Sequence, residues 1–558
     1  MLFRVVEIDL IDTQPAHDAS DRAHGTRPHG TLQRQSTSSD IVQTIRFSDL
    51  GYVDENHQPY PPVVTQAFDL DRGLSLSSDA LGGASTYGSL TLINDGSLDR
   101  VISQQINDHL PVRVLSGRKV YDPLRNRWSD PPRSDLTPVF AGLGTVWEPG
   151  LRDLTIPLSG ALSWLDVDLV GRVYAGTGGL QGDTNVSGQS LPKLRGRVTN
   201  ITPVLIDAVN SVYQVNDGPA TISALYEGGY AGGIVSAGVV ADLYAASPDP
   251  GTYTIQTSST GTWIRLGTKP VYGITVDAFG SFPSGADPVN ILDILRQMLL
   301  DDFVLPSAYL DPDWTEQSAL APWPGGWFWS GDTTSTTGQD VVRTLLAGTG
   351  ISLIPTRSGT LRPIRLAVPT TAMAPVLELT TDTITDISPV TLNSSLNPPT
   401  WRWRVGYQHV FTVQTSGSGL HPQAPADRQA LIGQSDRYGL WYRTTVRTRW
   451  RVPNDPTPIV TALASQPDAE ALANGLGALW GELRTLWAVT IPTELAQKAE
   501  LGDCVTLDAP IPGLAGGVTG LVVAEHVRSS EATTTLQVLV VGQPIDLSTL
   551  GDFGGDIV

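Results

Sequence analysis

The chain has a single cysteine, Cys504, among 558 residues. One thiol excludes an intrachain disulfide and any metal site built from several cysteines. Cys504 lies in residues 501–507 (LGDCVTL), a pattern that predicts a strand. We expect a buried, inert thiol there and not a nucleophile, because a buried cysteine behaves as a small hydrophobic side chain.

Charged residues are also scarce. They make up 16% of the chain, whereas soluble proteins usually have about 25%. A large chain with so few charges often covers part of its surface with partners, so we expect an assembly subunit. The net charge is −20 and no long basic stretch is present, which argues against tight, specific binding of DNA or RNA. An acidic wall would instead repel phosphates and let DNA pass without sticking.

Long apolar runs are missing as well. No stretch approaches the roughly 18–20 apolar residues of a membrane span. The first ten residues (MLFRVVEIDL) carry acids within their apolar stretch, which predicts a strand and not a signal peptide. We therefore expect synthesis in the cytoplasm and, outside a cell, transport only as part of a particle.

Glycine and proline are abundant, with 56 and 41 residues. Short alternating segments end in turn residues such as Asp95-Gly96, which is typical of strands joined by tight turns. The sequence predicts a mainly β, multidomain protein with barrel or sandwich domains and a small α+β insertion domain. The predicted parts are an N-terminal strand and flexible arm (1–40), a β-barrel domain (41–170), a second β domain (171–289), the small α+β domain (290–370), and a C-terminal β-rich domain (371–558) with one helix at 466–483.

No catalytic constellation is recognisable, and we predict no catalytic, cofactor-binding or metal-binding residue. Neither a Gly-x-Ser-x-Gly elbow nor a His-Glu-x-x-His helix occurs. Three histidines lie in the arm, where a surface loop is favoured over a metal site: His17, His24 and His29. For the other five, a position at a strand end or in a turn is favoured over a catalytic role: His57, His109, His409, His421 and His526. The glycine-rich residues 176–182 predict a connector and not a phosphate loop, because Asp, Thr and Asn follow them. An enzyme is therefore not expected.

Five aromatic residues form the one candidate contact site. They are Trp314, Trp323, Trp327, Phe328 and Trp329, with Asp311, Asp313 and Glu316 nearby. Aromatic side chains beside carboxylates can bind sugars, but clustered tryptophans more often pack a domain or subunit contact, and we favour packing. The two aspartates could serve as an acid/base pair or bind a metal, although a solvated loop is favoured.

Two segments, 401–407 (WRWRVGY) and 446–452 (VRTRWRV), predict two-faced strands with arginines on one face. We expect these arginines to pair with acids of this chain or the next. Contact with DNA is the less favoured alternative.

Four stretches over about residues 45–540 resemble the tail or baseplate-hub proteins of long-tailed bacteriophages and of related gene transfer agents. The second and third stretches in the order given next are fairly specific in combination. The stretches are 88–99 (GSLTLINDGSLD) with upstream 51–52 and 60–62, 174–179 (YAGTGG) leading to 192–207 (PKLRGRVTNITPVLID), 212–218 (VYQVNDG), and 501–507 after the helix at 466–483.

The resemblance implies β-barrel domains related to tail-tube proteins, a place at the tail tip of the virion, and a ring-shaped homo-oligomer, with a trimer favoured over a hexamer. It also implies contacts with a distal tail ring protein and with tip or fibre proteins, and passage of phage DNA without specific binding. The expected role is to close or extend the tail tube, to anchor receptor-binding parts, and to form part of the conduit for DNA ejection. Two alternatives stay open: a receptor-binding tail protein that recognises host glycans, and a tail-associated cell-wall hydrolase.

Overall fold

The structure is a computed structural model that describes residues 1–11, 41–76, 81–82, 85–104, 108–124, 126–169, 171–331, 336–370, 373–415 and 419–542. Strands account for 41% of the described residues and helices for 16%. This confirms the prediction of a mainly β fold. The predicted arm with His17, His24 and His29, and the glycine-rich C-terminal tail, lie outside the described residues.

The first sheet has the strand order β2-β1-β8-β11-β13-β7-β5, and β12 pairs with β13. Strand β13 alternates, with Leu154, Ile156 and Leu158 turned into the core against Val6 and Ile8 of β1. The elements are β1 (Leu2–Ile11), β2 (Ile41–Ser48), β3 (Tyr52–Val53), β4 (Pro59–Tyr60), β5 (Val64–Gln66), β6 (Asp69–Gly73), β7 (Ser89–Ile93), α1 (Asp99–Gln104), β8 (Leu110–Arg118), β9 (Val120–Asp122), β10 (Arg127–Ser129), β11 (Thr137–Gly144), β12 (Glu148–Pro149) and β13 (Asp153–Ser159).

The second β region is built from two sheets around a core that includes Leu194, Val215, Ile264 and Val276. One sheet contains β17-β21-β14, and the other has the order β15-β16-β20-β19-β18. The strands are β14 (Lys193–Ile201), β15 (Val204–Asp207), β16 (Val212–Asn216), β17 (Ala220–Glu227), β18 (Val235–Val239), β19 (Thr252–Ser258), β20 (Gly261–Leu266) and β21 (Ile274–Gly280).

Helices and short strands follow, as the apolar spacing of this segment predicts. Thr337 caps its helix by accepting a hydrogen bond from the Asp340 amide, while the Asp340 carboxylate accepts one from the Thr337 amide. Residues 357–359 lie in the turn of a hairpin. The elements are α2 (Ile291–Asp301), α3 (Trp314–Leu320), β22 (Gly326–Trp329), α4 (Gly338–Leu346), β23 (Ile351–Pro355) and β24 (Leu361–Arg365).

The C-terminal region contains a sheet of order β25-β30-β31-β32-β29-β26 and a separate pair, β27 and β28. Strand β6, from the first 75 residues, joins this sheet by pairing with β31. The elements are β25 (Leu377–Leu379), β26 (Asp386–Val390), β27 (Arg402–Tyr407), α5 (Ala426–Ile432), β28 (Arg437–Tyr442), α6 (Thr444–Arg449), α7 (Gln466–Trp480), β29 (Thr485–Pro492), α8 (Thr493–Ala496), β30 (Cys504–Leu507), β31 (Val518–Arg528) and β32 (Thr533–Gly542).

Two predictions in this region have opposite outcomes. Helix α7 is confirmed, and Ser465 caps it by accepting a hydrogen bond from the Asp468 amide. The strand predicted at 446–452 is wrong, because residues 444–449 form the short helix α6. Only Val446 of that helix is buried, and the amide of Trp450 bonds back to the carbonyl of Val446, so local hydrogen bonds replace the sheet partner that a strand would need.

The small α+β segment and the C-terminal sheet share one hydrophobic core. Leu295 of α2, Val342 of α4 and Leu353 of β23 belong to the same buried cluster as Leu476 of α7 and Val505 of β30. The borders predicted at 290 and 370 stay a prediction.

Candidate functional site

A buried cluster of four charges lies where β14, the end of β16 and the end of α2 meet. Lys193 and Arg195 supply two cations, and Asp217 and Asp302 supply two carboxylates. Each of the four side chains is at most 5% exposed. Burying charges is costly unless they are paired and hydrogen-bonded, so the geometry of this cluster decides whether it can exist.

Arg195 lies at the centre of the cluster. Its Nη1 donates to Asp217 Oδ1 at 2.8 Å, and its Nη2 donates to Asp302 Oδ1 at 2.9 Å. The Nε of Arg195 donates to Asp302 Oδ2 at 3.1 Å, so one guanidinium bridges both carboxylates. The guanidinium carbon lies 4.6 Å from the ring centroid of Phe282, which adds a cation–π contact.

Lys193 and Asn216 complete the network. Lys193 Nζ donates to Asp302 Oδ1 at 2.7 Å and to Asp217 Oδ2 at 3.1 Å. Asn216 Oδ1 accepts from Arg195 Nη1 at 3.1 Å and from the amide of Leu194 at 2.9 Å. Burial alone would raise the pKa of the Asp217 carboxyl, but Arg195 and Lys193 lower it below its usual value. Because the charges balance and bind one another, the cluster is suited to holding elements together and not to chemistry.

Three aromatic residues of the sequence prediction lie on β22, next to the strand that carries Lys193 and Arg195. Strand β22 pairs with β14 so that Trp327, Phe328 and Trp329 lie opposite Arg195, Leu194 and Lys193. Trp314 is 1% exposed, and its indole Nε1 donates to the carbonyl of Leu292 at 3.1 Å. Trp323 and Trp327 are also buried in the core, whereas Phe328 and Trp329 are half-buried. Three of the five aromatic side chains, those of Trp314, Trp323 and Trp327, therefore lie in this chain's own core. A glycan or subunit contact through the segment stays a prediction.

A second buried junction holds β6 within the C-terminal sheet. Arg357, in the turn before β24, donates to Glu525 Oε1 at 2.5 Å and lies 3.1 Å from Glu500 Oε2. Arg72 of β6 binds the same two carboxylates. Burial alone would raise the pKa of Glu500, but Arg72 and Arg357 lower it. Two cations and two carboxylates again balance at a junction between distant parts of the chain.

The aspartates near the aromatic segment are engaged in local structure. Asp311 accepts hydrogen bonds from the amide of Asp313 at 2.9 Å and from the hydroxyl of Thr360 at 3.1 Å. Asp313 lies 3.5 Å from Arg362. Within the part of the chain that the structure describes, no group of three or more His, Cys, Asp or Glu side chains could hold a metal ion.

The structure gives three histidines an aspartate partner. His526 Nδ1 lies 2.9 Å from Asp71 Oδ1 although the two are 455 positions apart, and His409 Nδ1 lies 2.9 Å from Asp436 Oδ1. His109 Nδ1 lies 2.6 Å from Asp108. Among the described residues, no hydroxyl or thiol is hydrogen-bonded to these imidazoles to complete a nucleophile–base–acid arrangement. Burial raises the pKa of the Cys504 thiol, with Asp503 adding to the effect, as expected for an inert side chain.

Sequence reasoning missed both charge clusters. Lys193, Arg195 and Asp217 lie in the stretches that carry the family resemblance, but nothing in their spacing indicates that they meet. The only local signal is that three cations, Lys193, Arg195 and Arg197, fall within one strand, β14. No local sequence pattern indicates that Asp302 joins the cluster, because it lies 107 positions from Arg195.

No protein-family model matches the chain, and no curated protein does. Solved structures do match. The tail protein from Neisseria meningitidis MC58 is 10% identical over 88% of this chain and 95% of that chain, with a TM-score of 0.33. The 43 kDa tail protein of prophage MuSo2 from Shewanella oneidensis is 10% identical over 89% and 98%, with a TM-score of 0.34. The prophage tail protein gp18 from Listeria monocytogenes EGD-e is 9% identical over 87% and 93%, with a TM-score of 0.29.

These structures are tail proteins, the class that the sequence resemblance implies. Among the described residues, no helix is long and apolar enough to cross a membrane.

Proposed function

We propose that this chain is a structural component of a bacteriophage tail tip, a baseplate hub that closes or extends the tail tube. It would anchor receptor-binding or fibre proteins, contact the distal tail ring, and form part of the conduit for DNA. It would work by rearrangement of subunits, without bond chemistry.

One observation carries the proposal. The two stretches most specific for the hub resemblance, 192–207 and 212–218, meet in the buried charge cluster, where Lys193 and Arg195 of the first bind Asp217 of the second. The residues behind the resemblance therefore depend on one another in the fold.

The two charge clusters also fit a load-bearing part. A buried ion pair is costly to break because separation leaves an uncompensated charge. Arg195 links β14 to α2, and Arg72 links β6 to the C-terminal sheet, so distant segments are locked together. Such a chain suits a rigid subunit that transmits movement at its contacts with neighbours.

The oligomeric state tests this role. The purified full chain is measured by light scattering and imaged by negative stain over a range of concentrations. We expect a closed ring with a central opening, a trimer first and a hexamer second. A particle without an opening, or a chain that stays monomeric at every concentration, would contradict a self-assembling hub.

A further inference from the structure

The pair of strands β27 and β28 leaves an exposed apolar row. Register pairs Arg402 with Tyr442 and Arg404 with Leu440, so these side chains share the outer face. Tyr438, Leu440 and Tyr442 are 39%, 55% and 58% exposed. Strand β28 pairs only with β27 among the described strands, which leaves its other edge open. Open edges and exposed apolar rows mark places where partners bind.

Three arginines extend this row at the same end of the molecule. Arg447 and Arg449 project from α6 and Arg451 follows it, and all three are exposed. No described carboxylate lies within 4 Å of them, whereas Arg402 and Arg404 both pair with Asp455. We call Leu440, Tyr442, Arg447, Arg449 and Arg451 the arginine face.

The arginine face is anchored on an indole ring. The guanidinium carbon of Arg447 lies 5.0 Å from the ring centroid of Trp401, and that of Arg402 lies 4.6 Å from it. The amide of Arg443 donates to the carbonyl of Trp401 at 2.8 Å, which fixes the start of α6 beside the same residue. Cation–π contacts restrict the arginine side chain before any partner arrives, and this reduces the entropy lost on binding.

The charges of the rest of the chain complement this face. Five arginines fall within the fifteen positions from Arg437 to Arg451, which hold no Asp or Glu, while the whole chain carries 56 acidic residues and a net charge of −20. The rest of the chain, taken as a whole, is therefore strongly acidic, and a second copy offers acidic side chains to this face. At physiological ionic strength charges act over only about 8 Å, so local complementarity outweighs the repulsion between two acidic chains.

We propose that the arginine face binds an acidic surface of a second copy of this chain and forms the subunit contact of the ring. This rests on the proposed function, because it names the contact through which that ring closes. Tyr and Arg are enriched at the centres of protein interfaces. A nucleic acid fits less well, because Leu440 lies exposed among the cations and only three arginines lack a carboxylate partner, whereas DNA-binding proteins neutralise about 6–10 phosphates.

The test uses the full chain with Arg447→Glu and Arg449→Glu combined. The matched control is Arg127→Glu with Arg152→Glu, which reverses two exposed arginines of the first sheet region. Circular dichroism and thermal unfolding verify that both variants fold. Sedimentation velocity measures assembly against protein concentration, between about 50 and 500 mM NaCl. We expect the Arg447/Arg449 variant to need at least about tenfold more protein to assemble, and the control to match the original chain. High salt should weaken assembly of the original chain.

Three results would overturn the proposal. The first is unchanged assembly of the Arg447/Arg449 variant, which would reject the arginine face but leave the hub role standing. The second is an original chain that is monomeric throughout, which would reject self-assembly itself. The third is binding of a 30-base-pair duplex at physiological salt that the variant loses while its assembly is unchanged, which would assign the face to DNA.

Discussion

Arg72 donates two hydrogen bonds to Glu525, with its Nε at 2.9 Å and its Nη2 at 2.8 Å from Oε2, although 453 positions separate the two residues. The Arg72 Nη1 also donates to the carbonyl of Pro355 at 3.0 Å. Strand β6 is thereby fixed inside a sheet made otherwise of C-terminal strands. The first β region cannot move away from the C-terminal region without breaking a buried, charge-balanced junction.

Replacing Arg72 with methionine should destabilise the protein strongly. The variant leaves Arg357 alone with the carboxylates of Glu500 and Glu525, and breaking a buried pair in this way costs about 3–5 kcal/mol. The control is Arg118→Met, since Arg118 is 69% exposed in its pair with Glu494 and should contribute at most about 1 kcal/mol. Urea unfolding of both variants measures the difference. An equal loss of unfolding free energy in the two variants would show that the buried pairs of Arg72 add no more stability than an exposed pair.

Asp302→Asn should have a similar effect on the other cluster. Its change leaves Lys193 and Arg195 with one carboxylate between them in a site closed to water, which costs about 3–5 kcal/mol. Asp313→Asn is the matched control, because the Asp313 side chain is 48% exposed and its arginine lies 3.5 Å away. Urea unfolding should show little change for the control. An Asp302→Asn protein as stable as the original would mean that the cluster is not needed to hold β14 to α2.

The pH dependence of stability should depend on Glu7. Burial alone would raise the pKa of this carboxyl, but hydrogen bonds from Arg133 and Tyr60 and the charge of Arg113 lower it from 4.5 to about 2. A pKa that is lowered by folding adds stability above the unfolded value, and this stability is lost as pH falls from about 4.5 towards 2. At about 1.4 kcal/mol for each pKa unit, the contribution is at most about 3.5 kcal/mol.

The variant Glu7→Gln isolates this contribution. Its unfolding free energy should fall below that of the original protein at pH 7, and the two should converge as the pH approaches 2. Urea unfolding at a series of pH values measures the difference. A gap of constant size at every pH would contradict the assigned pKa.

Trp314→Ala tests whether the aromatic segment is core or glycan site. The indole is buried and donates to the Leu292 carbonyl, so its loss should cost about 3–5 kcal/mol. Trp128→Ala is the control, because Trp128 is 48% exposed and should cost less than about 1 kcal/mol. Thermal unfolding and a glycan array are read on the same preparations. A stable Trp314→Ala protein that loses binding to a bacterial saccharide would favour the receptor-binding alternative.

Local patterns predicted much of the secondary structure. Helix α7 has a capping serine and an apolar stripe, and the hairpin of β23 and β24 has its turn residues between two apolar runs, so each is specified within about twenty positions. The strand predicted at 446–452 shows the limit of alternation. Its apolar and arginine residues alternate as in a strand, yet the chain there is held by hydrogen bonds of a helical turn.

The charge clusters could not be predicted, because each depends on contacts between distant residues. Arg195 is one of three cations in residues 193–197 (KLRGR), and nothing there indicates that it is buried. Its partners Asp217 and Asp302 lie 22 and 107 positions away. Nothing in the sequence of strand β6 indicates that it pairs with β31. The sequence shows which aromatic residues the segment contains, but it does not show which of them are buried. The burial of Trp327 depends on the pairing of β22 with β14.

The position of the chain in a particle tests most directly whether it is a component of a tail tip. Tailed particles from the cell that encodes the chain are labelled with gold-conjugated antibodies raised against the purified protein, and electron microscopy records where the gold binds. We expect label confined to the end of the tail distal to the head. Label on the head or along the whole tail, or particles that carry no label while the free protein binds the antibody, would contradict it.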